Sequence, residues 1–306
     1  MRSLTRIGVL PLVLAVLAGC GSSSSSKSSS TGAAGGSTAA STPSLPSNST
    51  NAAIAAQVPS AIKSKGTLTV AADASYAPNE FIASDGHTVI GMDPDLMQAI
   101  GAVLGLKVNV LNAPFETIIP GLAGGRYDVG ASSFTDTKER EKTVDFVTYL
   151  YVGQAMLTKS SGTHVNTLNE ICGHKVAVEK GTIEQENAVE QAKTCHAEGH
   201  PSITLQVYAD QNGANLALQS GRAEIDYADS PIIAYQVRQL GVQVRSGPTF
   251  DPEPYGLALP KGDGMAKPVL EAIKVLMKNG TYAAILKRWQ LQDAAITNPV
   301  INGAKS

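Results

Sequence analysis

Segments with two different hydrophobic periodicities alternate along the chain from near residue 59 onward. Residues 66–73 are apolar and rich in β-branched side chains, which predicts a strand. Residues 93–106 begin with acidic residues and then space their apolar residues as a helix does, at Leu96, Ile100, Val103 and Leu104. The next predicted segments are a strand at 107–113, a short helix with a glycine stop at 115–125 and a strand at 127–133. This β-α-β-α-β order predicts an α/β sheet.

The same alternation restarts after residue 162 and is followed by two long amphipathic helices. The predicted segments are a strand at 174–182 that enters a helix through a Gly-Thr turn, a helix at 183–194, a strand at 203–210, a helix at 211–221 and a strand at 223–230. The closing helices, 265–280 and 281–292, have apolar faces formed by Val269, Ile273, Leu276 and Met277 and by Tyr282, Ile285 and Trp289. We therefore predict that the second unit is inserted into the first. Two lobes joined by more than one crossover leave a cleft between them, where small ligands usually bind.

The first 20 residues have the layout of a bacterial export signal. Arg2 and Arg6 precede an apolar run, which is too short for a membrane span of about 20 residues, and small residues and Cys20 follow it. The ending "LAGC" resembles a lipobox, in which the cysteine is lipidated and becomes the mature N-terminus. We predict a lipoprotein signal peptide over residues 1–20 with Cys20 as the lipidated residue. The alternative is an ordinary signal peptide with an incidental cysteine.

Residues 21–58 are dominated by serine, glycine, alanine and threonine. A segment of this composition has too little apolar surface to offset its ordering entropy, so it predicts a flexible tether. A lipid anchor followed by a tether would hold the folded part outside the cytoplasmic membrane. The whole chain of 306 residues has a formal net charge of -2 and lacks a basic run interleaved with aromatic residues, so nothing indicates a nucleic-acid partner.

The two remaining cysteines, Cys172 and Cys195, would lie in an oxidising compartment if the chain is exported. A disulfide is the default there, and it would contribute about 3 kcal/mol in the chain-entropy model. A metal site is the alternative, because His174 and His196 stand nearby. That spacing matches none of the regular zinc signatures and no carboxylate completes it, so we predict the disulfide and expect neither a metal nor a cofactor.

Several segments, in order and with matching spacing, resemble family 3 of the bacterial extracellular solute-binding proteins, which bind amino acids. They include "GTLTVAADASYAPNEF", "VIGMDPDLMQAIG", "GGRYDVGASSFTDTKEREKTVDF", "LALQSGRAEIDYADSP" and "NGTYAAILKRW", and the resemblance covers residues 60–291. It implies a type II periplasmic-binding-protein fold, an α/β fold of two lobes joined by two crossover strands. Lobe 1 would comprise residues 59–153 and 249–306, and lobe 2 residues 154–248. The lobes would close on one amino acid and present it to the transmembrane permease subunits of an ABC importer.

The resemblance also assigns a role to "SSFTDTKER", residues 132–140. It implies that Arg140 holds the α-carboxylate of the ligand and that Ser133 and Thr135 donate hydrogen bonds to the same end. A guanidinium suits a carboxylate because it can donate two parallel charge-assisted hydrogen bonds. Taken alone, Arg140 would be interpreted as a solvated charge in the first turn of a helix. Its spacing from Thr137 and Phe146 fits the family pattern and favours the ligand role.

An amino acid also carries an ammonium group, which needs an anionic partner. The resemblance implies that Asp229 is this partner, that Tyr76 covers the ligand and that Thr182 offers its hydroxyl or backbone N–H from the second lobe. A ring over a cation adds about 0.5 to 2 kcal/mol. The alternatives are a helix-cap or turn aspartate at Asp229 and a core tyrosine at Tyr76.

Three positions depart from the family pattern, namely Asn79, Glu179 and Ile183, and we expect them to touch or neighbour the side chain of the ligand. Asp73 and Glu179 together would favour a cationic side chain such as that of arginine, lysine or ornithine. Asp73 alone does not discriminate, because relatives that bind neutral polar amino acids share it. The sequence therefore predicts a polar or basic amino acid as ligand.

Two other classes of function compete with transport. An enzyme on the same fold, such as a cyclohexadienyl dehydratase, would need a general acid in the cleft. Glu179 is a candidate, but no partner with a recognisable spacing accompanies it, so we do not expect catalysis. A ligand-binding component of a sensor or an adhesin is the second alternative. We expect a monomer that is anchored to the membrane only through its lipid.

Overall fold

Residues 45–305 are described by the computed structural model, and a mixed β-sheet runs through them. The predicted signal peptide, Cys20 and most of the predicted tether lie outside the described residues. The strands are β1 (Thr67–Ala72), β2 (Ser75–Tyr76), β3 (Glu80–Ile82), β4 (Val89–Ile90), β5 (Lys107–Asn112), β6 (Val129–Gly130), β7 (Val144–Lys159), β8 (Lys175–Glu179), β9 (Thr204–Tyr208), β10 (Ile225–Asp229), β11 (Val244–Ser246) and β12 (Phe250–Pro260).

Helices of one to four turns separate most of these strands. They are α1 (Ala52–Ala55), α2 (Ser60–Lys65), α3 (Met92–Leu104), α4 (Phe115–Ala123), α5 (Ile183–Ala197), α6 (Gln211–Ser220), α7 (Ser230–Leu240), α8 (Ala266–Lys278) and α9 (Thr281–Trp289). Short 3-10 turns cover Arg140–Lys142, Leu168–Ile171, Gly241–Gln243 and Gln292–Ala294. Within residues 45–305, no helix has both the length and the apolar character that a membrane span requires.

The main sheet has the strand order β5-β1-β6-β12-β7-β10-β8-β9, and β11 pairs with β7. β5, β1 and β6, here called the first strand group, are parallel to one another. β10, β8 and β9, the second strand group, are also parallel. The antiparallel pair β7 and β12 lies between the two groups, and the second group falls between β7 and β12 in the sequence. This topology confirms the predicted α/β class.

The largest apolar cluster forms where α3, α8 and α9 pack against the first strand group and the adjoining parts of β7 and β12. The residues that the sequence placed on the faces of α3 and α8 are fully buried, except Met277, which is partly buried. On α9, Tyr282 and Ile285 are buried and Trp289 packs against the same cluster. The predicted amphipathic faces are therefore confirmed.

A disulfide bond joins Cys172 and Cys195, with the two Cα atoms 5.7 Å apart. It links the last turn of α5 to the segment that follows the 3-10 turn at Leu168–Ile171. The predicted pairing is confirmed.

Residues 295–304, here called the C-terminal strap, run antiparallel beside β7. Isolated bridges join Ala295 to Leu150 and Ile301 to Val147. The N–H of Gly303 donates to Oδ2 of Asp136 at 2.7 Å. Because Asp136 lies in the loop between β6 and β7, the strap supports that loop from outside the main sheet.

Candidate ligand-binding site

A cavity lies where strands of both groups end. Asp73 follows β1, Glu179 is the last residue of β8 and Asp229 is the last residue of β10. The carboxyl ends of parallel strands are where open α/β sheets bind their ligands. The cavity brings together all eight residues that the sequence analysis assigned to the ligand, namely Asp73, Tyr76, Ser133, Thr135, Arg140, Glu179, Thr182 and Asp229.

The guanidinium of Arg140 is fixed by two backbone carbonyls and two aromatic rings. Nη1 donates to the carbonyl of Thr135 at 2.9 Å and Nη2 donates to that of Gly181 at 3.0 Å. The rings of Phe115 and Phe134 lie with their centroids 5.6 Å and 5.7 Å from the guanidinium carbon. Among the ion pairs of the described residues, none includes Arg140, so its charge is available to an anionic group in the cavity.

Burial lowers the pKa of the Arg140 guanidinium from its ordinary value, an effect that the nearby carboxyl groups of Glu186, Glu184 and Asp229 oppose. An arginine remains cationic at any physiological pH despite such a shift. The cavity therefore holds one permanent positive charge in a position set by the protein.

Tyr76 and Asp229 meet across the cavity. The hydroxyl of Tyr76 donates to Oδ2 of Asp229 at 2.9 Å and accepts the backbone N–H of Asp229 at 3.2 Å. Asp229 stands at the N-cap of α7, but its side chain makes no capping hydrogen bond, so the carboxyl group serves the cavity rather than the helix. Burial raises the pKa of Asp229 to about 6, although the hydrogen bond from Tyr76 opposes the rise.

Glu184 lies beside Asp229 in the first turn of α5 and also lines the cavity. Burial, followed by the charge of Asp229, raises the pKa of Glu184 well above its ordinary value. The two carboxyl groups lie close enough for each to shift the pKa of the other. Together they form an anionic site next to the ring of Tyr76.

A second pair of carboxyl groups, Asp73 and Glu179, lies at the ends of β1 and β8. Asp73 accepts the backbone N–H groups of Ser75 and Phe115 at 3.2 Å and 3.0 Å, which fixes its side chain. Oε1 of Glu179 is buried and has no hydrogen-bond partner among the described residues. Burial, followed by the charge of Asp73, raises the pKa of Glu179 well above its ordinary value. Such a pair can accept a group that carries both positive charge and N–H donors.

Two of the predicted donors are already engaged within the protein. The hydroxyl of Thr182 caps α5: it accepts the N–H of Gln185 and donates to the carbonyl of Glu179. The sequence analysis proposed that either the hydroxyl or the backbone N–H of Thr182 donates to the ligand. Of these two groups, only the backbone N–H is still available. Thr135, in contrast, lines the cavity with a hydroxyl that bonds to no residue from 45 to 305.

The hydroxyl of Ser133 donates to Oε2 of Glu80 at 3.2 Å and accepts the side-chain amide of Asn79 at 2.8 Å. Its backbone N–H donates to Oδ2 of Asp93 at 2.9 Å. Both donors of Ser133 thus point away from the cavity that the residue lines. The three departures from the family pattern were expected to touch or neighbour the ligand side chain. Glu179 and Ile183 line the cavity, whereas Asn79 contacts it only through Ser133.

Sequence reasoning missed three lining residues, Phe115, Ser132 and Glu184. Ser132 stands next to Ser133 in the motif, and Phe115 begins the helix that follows β5, so position alone could have suggested both. Glu184 had a clearer signal, because it lies two residues after Thr182, in the first turn of a helix whose cap was predicted to reach the ligand.

Four carboxyl groups and one guanidinium therefore surround a small enclosed space between two α/β units. This arrangement defines a binding protein for a small polar molecule that carries both signs of charge. The chain belongs to the bacterial extracellular solute-binding proteins, family 3, whose model matches residues 68–292. Proteins of this family that resemble it are extracytoplasmic amino-acid-binding proteins of ABC transporters.

Three known proteins illustrate the relationship. The arginine-binding protein ArgT of Corynebacterium glutamicum is 32% identical over 252 residues, which cover 81% of this chain and 82% of ArgT. An ancestral arginine-binding protein bound to arginine superposes with a TM-score of 0.68 at 31% identity, over 73% of this chain and 98% of the other. The ancestral amino acid-binding protein AncCDT-1, described as a precursor of cyclohexadienyl dehydratase, gives a TM-score of 0.68 at 32% identity over 75% and 97% of the two chains. The type II fold inferred from the sequence is thereby confirmed.

Proposed function

We propose that this protein is a lipid-anchored, extracytoplasmic binding protein that captures a cationic amino acid, with arginine as the first candidate, and delivers it to an ABC permease. The observation that carries the proposal is the excess of carboxyl groups in the cavity. Asp73, Glu179, Glu184 and Asp229 face a single guanidinium, that of Arg140. Arginine and lysine carry one anionic and two cationic groups, which complement this set better than the charges of a neutral amino acid do.

Each charged group of such a ligand has a partner in the proposed complex. Arg140, with the free hydroxyl of Thr135, receives the α-carboxylate. Asp229 and Glu184 receive the α-ammonium group under the ring of Tyr76, and Asp73 and Glu179 receive the cationic side chain. The arginine-binding relatives support this choice of ligand.

The proposed lobes are those inferred from the sequence, residues 59–153 with 249–306 and residues 154–248. Contacts across the cavity support a closed arrangement. Besides the bonds of Arg140 to Gly181 and of Tyr76 to Asp229, Lys180 pairs with Glu116 at 3.2 Å. In the proposed mechanism the two charged ends of the ligand tie the lobes together and the closed form docks on the permease.

Catalysis is the weaker candidate, and one observation favours it. Burial raises the pKa of Glu179 well above its ordinary value, which favours the protonated form that a general acid requires, and AncCDT-1 is described as a precursor of cyclohexadienyl dehydratase. Incubation of the purified protein with a cyclohexadienyl acid, followed by chromatography of the products, distinguishes the two functions. Turnover that a Glu179→Gln variant loses would support the enzyme.

The test of the binding function is a thermal-shift screen against all amino acids, followed by calorimetric titration of the ligands found. A ligand at 100 times its dissociation constant adds about 2.7 kcal/mol of stability. We expect arginine, lysine or ornithine to give the largest shift and agmatine, which lacks the α-carboxylate, to give little. A larger shift with a neutral amino acid than with any cationic one would contradict the proposed ligand class.

The matching variant is Arg140→Ala. Removing one side of a buried charge pair costs about 3 to 5 kcal/mol, which lowers a micromolar affinity to near or beyond millimolar. Arg140→Lys should restore little, because a point charge cannot reproduce the two-pronged geometry. Arg222→Ala, at an exposed arginine far from the cavity, is the control and should bind as the wild type does. Binding by Arg140→Ala within threefold of wild type would place the carboxylate site elsewhere.

A further inference from the structure

Two carboxyl groups, those of Glu80 and Asp93, lie behind the wall of the cavity and do not line it. Glu80 belongs to β3 and Asp93 to the first turn of α3, and both side chains are inaccessible to solvent. The ion pairs of the described residues include neither of them. Burying two carboxyl groups without a cationic partner is costly unless hydrogen bonds and a shared proton compensate. Such an arrangement calls for a physical reason within the site.

The hydrogen bonds of Glu80 lead directly to the cavity wall. Its Oε1 accepts the hydroxyl of Ser132 and its Oε2 accepts the hydroxyl of Ser133, each at 3.2 Å. The hydroxyl of Ser132 in turn accepts the backbone N–H of Asp73 at 2.8 Å. One buried carboxyl group thus bridges two neighbouring serines of the wall and, through Ser132, reaches the backbone of a carboxylate that lines the cavity.

Asp93 holds the backbone of the same segment. Its Oδ2 accepts the N–H of Ser133 at 2.9 Å and the hydroxyl of Tyr149 at 3.0 Å. Ser133 has a φ of +53°, a left-handed conformation that costs a residue other than glycine about 1 kcal/mol or more. The bond to Asp93 compensates for this strain. Because of the turn at Ser133, Phe134 is buried in the core and Thr135 lines the cavity.

The two carboxyl groups also influence each other electrostatically. Oδ1 of Asp93 is buried and has no hydrogen-bond partner among residues 45–305. Burial raises the pKa of Glu80 well above its ordinary value, and the neighbouring charges of Asp93 and Asp73 add to this effect. Burial raises the pKa of Asp93 to about 6, against the hydrogen bonds from Ser133 and Tyr149. Both shifts follow from burying two neighbouring carboxyl groups without a cation.

We propose that Glu80 and Asp93 are positioning residues of the ligand site, which fix the Ser132–Ser133 turn and, through Ser132, the backbone of Asp73 by the hydrogen bonds that their buried carboxyl groups accept. The inference rests on the proposed function only in that it names ligand affinity as the quantity affected. Neither residue touches the ligand. The pair acts by keeping two wall serines and one anchoring carboxylate in the geometry that the ligand meets.

The test compares Glu80→Gln with Glu80→Leu. Glutamine keeps the size and an oxygen that can accept a serine hydroxyl, whereas leucine has a similar size and no polar group. We expect Glu80→Gln to bind the amino acid found in the screen within about threefold of wild type and Glu80→Leu to bind at least about tenfold more weakly. Asp226→Leu, which removes another fully buried carboxyl group away from the wall, is the control and should keep its affinity.

Amide hydrogen exchange of the ligand-free variants provides a readout that needs no ligand. Glu80→Leu should lose protection at the amides of Ser133 and Asp73 selectively, while Glu80→Gln and Asp226→Leu keep it. Unchanged exchange at these two amides, or lost protection with unchanged affinity, would overturn the inference. If the wild type bound no amino acid, the proposed function would fail while the exchange data still decided the positioning role. If Glu80→Leu did not fold, Asp93→Asn and Asp93→Ala form the substitute pair with the same expectations.

Discussion

At the scale of single residues, the molecule is unusual in how many carboxyl groups it buries without a cation. Besides the groups around the cavity, Asp226 in β10 is completely inaccessible to solvent. Its Oδ1 accepts the side-chain amide of Gln211 at 2.9 Å, and its Oδ2 has no partner among the described residues. Burial raises the pKa of Asp226 to about 7, and only the bond from Gln211 opposes the rise. Such a group links the stability of the protein to pH.

We predict that the free energy of unfolding falls as the pH rises from about 4 to about 7, between the ordinary pKa of the Asp226 carboxyl group and its native value. The carboxyl group has its ordinary pKa of 3.8 in the unfolded chain and about 7 in the native state. Below about pH 4 both states hold the proton and the group has no effect. Between these values only the native state holds it, so the free energy of unfolding decreases by up to about 1.4 kcal/mol per pH unit.

Urea unfolding of the wild type and of Asp226→Asn, from pH 4 to pH 8, measures this contribution. The stability of the variant relative to the wild type should increase with pH over this interval and level off above about pH 7. Asp293→Asn, at an exposed aspartate, is the matched control and should show no such trend. A difference between Asp226→Asn and wild type that does not vary with pH would contradict the prediction.

At the scale of secondary-structure elements, hydrophobic periodicity predicted best the elements that bury only one face. α3 and α8 follow the helical spacing and were predicted within about two residues of their observed ends. β7 was not predicted, because this 16-residue strand between β12 and β10 is buried almost throughout and shows no alternation. A buried apolar run of that kind does not distinguish a strand from a helix.

The segment at residues 127–133 shows a different limit. It was predicted as one strand, but β6 covers only Val129–Gly130, and the chain then enters the turn at Ser133. The cause is the bond between the N–H of Ser133 and Asp93, a residue 40 positions away in the sequence. Local pattern cannot anticipate a conformation that a distant carboxylate stabilises. For the same reason the assignment of the eight candidate ligand-binding residues depended on family resemblance, and Glu184 was missed.

The disulfide yields a prediction about α5. The helix lines the cavity at its first turn and carries Cys195 in its last turn. Because 13 residues of helix correspond to about 20 Å, the disulfide lies about that far along the helix from the cavity. The double variant Cys172→Ala/Cys195→Ala should lose about 3 kcal/mol of unfolding free energy, because the bond closes a loop with a sequence separation of 23. Ligand affinity should stay within about twofold of wild type. Denaturant unfolding and titration of the variant test both statements, with the reduced wild type as the matched comparison. A large loss of affinity at unchanged stability would refute them.

At the scale of the whole molecule, the two strand groups are connected through β12 and β7: β12 pairs with β6 of the first group, β7 pairs with β10 of the second, and the two strands pair with each other. The register of β12 against β7 shifts between Phe250 and Glu253 and again between Tyr255 and Gly256. Irregular pairing of this kind locally weakens a ladder and allows it to bend. The two groups would therefore move relative to each other about this part of the sheet.

The contacts that bridge the cavity lead to the last prediction. Hydrogen bonds that involve a charged group, such as those of Arg140 to Gly181 and of Tyr76 to Asp229, contribute about 1.5 to 3 kcal/mol each, and an exposed ion pair such as Lys180 with Glu116 contributes about 1 kcal/mol or less. We expect these contacts alone to leave an open form populated, whereas a ligand held by Arg140 on one side and Asp229 on the other adds charge-assisted bonds that exist only in the closed form. Small-angle X-ray scattering should therefore show a smaller radius of gyration at saturating arginine than without it. Arg140→Ala should show no decrease at the same arginine concentration, while Lys180→Ala, which removes only the exposed pair, should close as the wild type does. Identical scattering with and without an amino acid that calorimetry shows to be bound would mean that the cavity fills without movement of the two strand groups.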